Sequence, residues 1–137
     1  MSDATILKSG AVIIRDRKVL VVRSRGKDFF NTPGGKPEAE ETAEQALIRE
    51  LKEELSIDVS MADFEKFGEF HAMANGHKDT PIIMTMFTVH SWQGEITPTS
   101  EIEELAWFDS HKDPAMQIGS IMEHDVMPRL VAQGLID

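Results

Sequence analysis

The sequence predicts an α+β fold, an α/β/α sandwich in which a mixed β-sheet packs between helices. Three observations predict it: apolar runs of strand length, two segments of helical periodicity, and their succession as strands, helix, strands, helix. Residues 6–14 and 19–22 are apolar runs around Arg15-Asp16-Arg17-Lys18, which reads as two strands joined by a polar turn. Thr32-Pro33-Gly34-Gly35 then breaks the chain. A helix is expected from about Ala43 to Leu55. Thr42 and Gln45 form a Thr-x-x-Gln capping box, worth ~1 kcal/mol, and Ala43, Leu47, Leu51 and Leu55 recur at four-residue spacing. On the helical wheel Glu54 falls beside Ala43 and Leu47, a place for a side chain that faces a cleft rather than open water. Residues 64–73 and 81–92 read as strands around the polar turn Asn75-Gly76-His77-Lys78-Asp79, and Gln93-Gly94 as another turn. Residues 105–108 form a short strand after an acidic run. Residues 118–135 have helical periodicity, with Pro128 expected to kink or divide them.

At 137 residues the chain is expected to form a single domain, 1–137, around one core. No apolar run approaches the roughly 20 residues that span a bilayer, and residues 1–10 lack a basic stretch followed by an apolar one. Neither a membrane segment nor a secretory signal is expected. The absence of cysteine excludes disulfides, thiolate zinc sites and cysteine nucleophiles, and fits a cytoplasmic protein. A net charge of −10 argues against a nucleic-acid polymer held on a broad basic surface. A small anionic partner remains possible, because carboxylate-bound cations reverse the local field. The oligomeric state is not legible.

Glu50, Glu53 and Glu54 project within an arc of roughly 100° on the expected helix. Each like-charge pair at these spacings costs about 0.2–0.5 kcal/mol, and the negative end of the helix dipole adds to the cost. A solvated helix would carry lysines here. A hard divalent cation with oxygen ligands accounts for the pattern.

The wider pattern is Gly35, five residues, Glu41, seven residues, then Arg49-Glu50-Leu51-x-Glu53-Glu54-x-Ser56-Ile57. It resembles the Nudix box, Gly-x5-Glu-x7-Arg-Glu-U-x-Glu-Glu-x-Gly-U, where U is a bulky aliphatic residue. Every fixed position matches except the late glycine, which is Ser56 here. The box covers 23 of 137 residues. The Pro33-Gly34-Gly35 approach, the preceding hairpin and the Trp107-Phe108 strand also agree with the family layout.

The resemblance implies a Nudix-like mixed sheet between helices and metal-dependent hydrolysis of a phosphoanhydride. Its substrate would be a nucleoside triphosphate, or a nucleoside diphosphate linked to another moiety. Mg²⁺ or Mn²⁺ would be held by Glu50, Glu53 and Glu54 with the Gly34 carbonyl. Arg49 would form an orienting ion pair with Glu41. Which glutamate activates water varies within the family, and Glu53 is the first candidate. Such sites work by positioning and electrostatics, without a covalent nucleophile. Ser56 would cost about 1–2 kcal/mol if it adopts the left-handed conformation that glycine serves. It removes no metal-binding acid.

Outside the box, some members of the family it resembles draw a further metal ligand or base from a loop in the part of the chain that here carries Glu101, Glu103 and Glu104. Glu104, adjoining the strand, is the choice, against a solvated acidic loop. Arg23 and Lys36 are candidates for substrate phosphates, or else surface cations. Phe29, Phe30 and Trp107 have faces suited to a nucleobase; the alternatives are core packing for Trp107 and a loop anchor for the phenylalanines. His71, His77, His90, His111 and His124 lack paired metal-ligand spacing and read as structural or surface residues. Met84 and Met86 alternate in a strand and should pack against its neighbours. Asp109 could meet a base edge or form a turn.

The lack of tyrosine, of a proline at the usual spacing after the box, and of a coenzyme A signature disfavours several Nudix branches. The lack of cysteine disfavours the isopentenyl-diphosphate isomerase branch. A MutT-like nucleoside-triphosphate pyrophosphohydrolase remains, with ADP-ribose and nucleotide sugars open as substrates. The competing class is a Nudix-like module that senses a nucleotide without cleaving it.

Overall fold

In the computed structural model, residues 5–73 and 80–137 are described, so the turn expected at 75–79 lies outside them. The first apolar run does not stay in one sheet. It forms β1 (Ile6–Val12), leaves regular pairing at Ile13 and resumes as β2 (Ile14–Arg15), which pairs with β3 (Lys18–Ser24). The expected hairpin is therefore only its tip, Ile14 opposite Val19 and Arg15 opposite Lys18. Asp16 and Arg17 both take positive φ there, as a two-residue hairpin turn requires. β1 instead runs parallel to a strand far along the chain, because its apolar residues reach both faces of a buried sheet.

Short strands β4 (Phe29–Phe30) and β5 (Gly34–Gly35) lead to helix α1 (Ala43–Leu55). A 3₁₀ turn, Met61–Asp63, opens β6 (Phe64–Met73), which pairs antiparallel with β7 (Pro81–Val89). β8 (Ile102–Phe108) starts earlier than the expected short strand. β9 (Gln117–Ile118) then precedes a helical segment in which a π-turn, Met122–Val126, runs into α2 (Met127–Ala132). Pro128, expected to kink or divide the segment, instead stands where a widened turn passes into α-helix. It has no N–H to give, and the Met127 N–H bonds back to the Met122 carbonyl.

One mixed sheet has the order β5-β1-β7-β6, a second β2-β3-β8, and β4 pairs with β9. Side-chain alternation divides the core between two layers. Val19, Val21, Met84, Met86 and Phe108 pack toward the C-terminal helical segment through Met122, Val126 and Leu130. Leu20, Val22, Phe87 and Val89 pack beneath Leu47, Leu51 and Leu55 of α1. This is the expected sandwich of sheet between helices, with Met84 and Met86 buried in it.

Both bonds of the capping box form at the start of α1, Gln45 N–H to Thr42 Oγ1 at 3.0 Å and Thr42 N–H to Gln45 Oε1 at 2.9 Å. At its other end Ser56 adopts φ 60°, ψ 28°, and its N–H reaches the Leu51 and Lys52 carbonyls. The next carbonyls are met from a distant loop. Thr97 N–H bonds Leu55 O at 2.9 Å, Thr99 N–H bonds Glu54 O at 3.0 Å, and the Thr99 hydroxyl bonds Glu53 O. These donors neutralise the negative helix end that the acidic residues would otherwise aggravate. Since a left-handed serine is strained, Ser56→Gly should stabilise the protein by about 1 kcal/mol. A thermal melt should show a midpoint rise of roughly 3–5 °C for a chain of this size.

Candidate active site

The site starts from two glycines. β5 pairs antiparallel with β1, Gly34 opposite Gly10 and Gly35 opposite Ser9. Gly34 has φ 135°, and a Cβ there would run into the Ser9 carbonyl. A Cβ on Gly35 would occupy the space of the Glu50 carboxylate. Bare backbone thus lets α1 lay its acidic face against a strand. The Gly34 N–H donates to Glu54 Oε1 at 3.0 Å, and Glu54 is only 8% exposed.

Arg49 organises the rest. Its Nε and Nη2 fork onto the two oxygens of Glu41 at 2.8 and 3.0 Å, and Nη2 also reaches the Lys36 carbonyl at 3.1 Å. Its Nη1 meets Glu50 at 3.2 Å and Glu53 at 3.4 Å. A planar fork with five donors suits this task as a lysine would not. Glu41 is pulled down to about 2, first by Arg49 and then by the Glu38 N–H. The guanidinium is raised in turn, with Glu41 as the main cause.

The inner carboxylates go the other way. Burial pushes Glu54 up to about 8, with Glu50, Glu101 and Glu53 adding to the shift and the Gly34 N–H opposing it. Glu50 is also raised, chiefly by burial, with Arg49 in opposition. For Glu54 the linkage sign follows directly. The unfolded carboxyl ionises near 4.5 and the folded one near 8, so the folded state binds the extra proton between them. Metal-free protein should lose stability from this group as pH rises from about 4.5 to about 8, and no further above that. Chemical denaturation at pH 5, 6.5 and 8 with a chelator checks this, and Glu54→Gln should flatten the trend.

Among the described residues no three acidic or imidazole groups converge as a closed metal cage. Arg49 engages Glu50 and Glu53, while the Gly34 N–H engages Glu54. The donor set nevertheless fits a hard cation. It offers a buried, protonatable carboxylate and a second raised one, beside backbone brought close by glycine. Open sites for such cations take one or two carboxylates and leave positions for water and substrate phosphate.

The cleft over these residues is lined by Lys8, Gly34, Lys36, Glu50, Glu54 and Glu101. An apolar cavity of about 210 Å³ lies alongside, with Phe29, Asn31, Ile82, Met84 and Ile121 in its walls. A larger cavity of about 600 Å³ near Lys112, Met127 and Val131 contains none of the box carboxylates.

Glu41, Arg49, Glu50, Glu53, Glu54 and Gly34 come together as the sequence led us to expect, and Lys36 borders them. Other candidates are placed differently. Glu104 does not face the cluster. Because β8 starts at Ile102, Glu104 is a strand residue opposite Arg23, and the two form an ion pair at 3.0 Å. Glu103 holds the same guanidinium at 2.9 Å, so Arg23 is engaged by acids rather than turned to a phosphate. Glu101 stays in the loop and lines the cleft, replacing Glu104 as the loop acid near the site. Phe30 is 4% exposed and packs edge-on to Phe108 at 5.1 Å, leaving no face for a base; Phe29 borders the cavity instead. Trp107 packs in the α1-side layer under the Arg15 guanidinium, 4.9 Å from its ring. Asp109 accepts the His111 N–H at 2.8 Å, a turn role. His71, His90, His111 and His124 are exposed, and His77 lies outside the described residues. The sequence reading missed Lys8 and Asn31. A lysine interrupting an apolar strand was the available signal for the first, and Asn31 offered none beyond its place just before the Gly-Gly strand.

Fold and site together define a class: a sheet sandwich whose helix presents arginine-ordered carboxylates to a Gly-Gly strand beside an apolar cavity. The chain belongs to the NUDIX domain family, whose pattern matches residues 6–118. It is 36% identical to an 8-oxo-dGTP diphosphatase of Haemophilus influenzae over 116 residues, 80% of each chain. It is 38% identical over 76 residues to an 8-oxo-dGTP diphosphatase of Proteus vulgaris, covering 56% of this chain and 63%, under two thirds, of that relative. A MutT NUDIX hydrolase from Burkholderia pseudomallei shares the fold with TM-score 0.74 at 20% identity, over 96% of this chain and 98% of that one.

Proposed function

We propose that this protein hydrolyses a phosphoanhydride bond of a nucleoside triphosphate, releasing a nucleoside monophosphate and pyrophosphate. The observation that carries the reading is the continuity of two surfaces. The Arg49-ordered carboxylates open onto a cleft whose neighbour is a small apolar cavity. One surface suits a cation-bound polyphosphate and the other a base. The names of the relatives make 8-oxo-dGTP the leading substrate.

In this reading Glu50, Glu54 and the Gly34 carbonyl would hold Mg²⁺ or Mn²⁺, with the loop acid Glu101 lining the same cleft and Glu53 joined to the group through Arg49. The bound cation would neutralise phosphoryl charge and lower the pKa of a coordinated water. Arg49 offsets the mutual repulsion of Glu50 and Glu53 and, through Glu41 and the Lys36 carbonyl, anchors the helix to the loop. Glu53, with a side chain 52% exposed, is the most open of the three acids, which supports it as the group that would take the proton from water. Water oxygen bonds to phosphorus, the bridging P–O bond breaks, and its electron pair stays on the bridging oxygen, which leaves with the half of the substrate that water did not attack. Lys36 supplies positive charge to the phosphates. A cysteine-free chain acting on free nucleotides suits the cytoplasm, with residues 1–137 as one catalytic domain.

The test measures phosphate and pyrophosphate release from 8-oxo-dGTP, the common nucleoside triphosphates, ADP-ribose and nucleotide sugars, with either cation. Cation-dependent pyrophosphate release that falls by about 10²–10⁴ in Glu53→Gln is expected. Tight nucleotide binding without release from any compound would replace the hydrolase with a nucleotide sensor.

A further inference from the structure

The carboxylate cleft and the apolar cavity have two lining residues in common, Lys8 and Lys36. Lys36 follows the Gly-Gly strand and is exposed. Lys8 is built differently. It sits within β1, between Ile6 and Gly10 on one face, opposite Met84 of β7. The neighbours on that face lead into the core: Met84 is 5% exposed and Met86 is fully buried. Lys8 itself is half-buried.

An ammonium in such a wall is costly to desolvate unless something pairs with it. Among the described residues no carboxylate forms an ion pair with Lys8, although the site it borders is rich in acids. The charge that does act on it is a second cation: burial first and Lys36 next lower its pKa from the ordinary lysine value. Two ammonium groups thus face one junction, in a chain whose net charge is −10. Their common counterion has to come with the ligand.

We propose that Lys8 binds the phosphate attached directly to the nucleoside, holding it where the apolar cavity meets the carboxylate cleft. The assignment rests on the nucleotide reading above and adds to it. Lys8 would set the register of the substrate, with the nucleoside on one side of β1's lysine and the departing pyrophosphate on the other. It selects ligands that carry a phosphate at this joint. A ligand with an uncharged group there would leave the half-buried Lys8 ammonium unpaired, which its partly desolvated position penalises.

Isothermal titration of the metal-free protein with 8-oxo-dGMP, dGMP, dCMP, dAMP and dTMP, and with the matching nucleosides, tests this without turnover. In the wild type the preferred monophosphate should bind more tightly than its nucleoside. Lys8→Met should weaken that monophosphate about tenfold and leave the nucleoside within about twofold, and Lys8→Arg should recover most of the loss. A thermal melt confirms that each variant is folded. Equal monophosphate affinity in wild type and Lys8→Met overturns the assignment while leaving the hydrolase reading intact. Equal loss for nucleoside and monophosphate also overturns it, since Lys8 would then only shape the cavity. If no monophosphate or nucleoside binds the wild type, the nucleotide pocket fails and the role of Lys8 with it.

Discussion

Glu54→Gln is expected to have two effects of opposite sign. Hydrolysis should fall by at least about 10²-fold, because the most buried of the proposed cation ligands loses its charge. The metal-free protein should become more stable at pH 8, where the wild-type carboxyl, only 8% exposed, must either hold a proton that the unfolded chain has lost or ionise in a buried place. Folding raises that carboxyl from 4.5 to about 8, and at about 1.4 kcal/mol per unit the cost it can impose is on the order of several kcal/mol. Glutamine keeps an oxygen for the Gly34 N–H and carries no charge to desolvate. Denaturation of both proteins in chelator at pH 8, alongside kcat with saturating Mg²⁺, reads both effects. A variant that is less stable at pH 8 and also inactive would show that Glu54 is held mainly by packing, and the charge argument would fail.

Gly34→Ala should be the most damaging backbone change in the site. At φ 135° a side chain is strained by roughly 1–3 kcal/mol before any contact is considered. The new Cβ would also run into the Ser9 carbonyl and come within 2.9 Å of Gly10 Cα, both backbone of the neighbouring strand. Neither can swing aside as a side-chain tip can. A total of about 4 kcal/mol is expected, together with loss of activity as the N–H that holds Glu54 is displaced. Gly26→Ala is the comparison. It also has positive φ, 83°, but its Cβ would meet nothing within 4 Å, so only the conformational cost of about 1–2 kcal/mol applies. Urea denaturation of the pair separates strain from collision, and equal losses would mean that β5 can move away from β1.

Much of the site was legible because its residues lie on one helix and the loop before it. Spacing alone puts Glu50, Glu53 and Glu54 on one face, and Thr42 with Gln45 marks where that helix begins. The Arg49–Glu41 pair came from the resemblance, and in the structure it is a bidentate fork. Residues outside this stretch fared differently. Glu104 and Glu101 are three positions apart in an acidic run, and nothing in their order says which one a strand will claim. Register across β3 and β8 makes that choice, sending Glu104 to Arg23. Phe30 and Phe29 likewise differ only in which side of a two-residue strand they occupy.

Local periodicity and spacing therefore determined the sandwich class, the helix with its cap and the acidic face, since each depends on residues within a few turns of one another, whereas the expected break at Gly34-Gly35 is a short strand on β1. The pairing of β1 with β7, the capping of α1 by Thr97 and Thr99, and the meeting of Lys8 with Lys36 at the cleft were decided in three dimensions. Each joins segments far apart in the chain, and their relative placement follows from how two core layers fill, a property no short window of sequence contains.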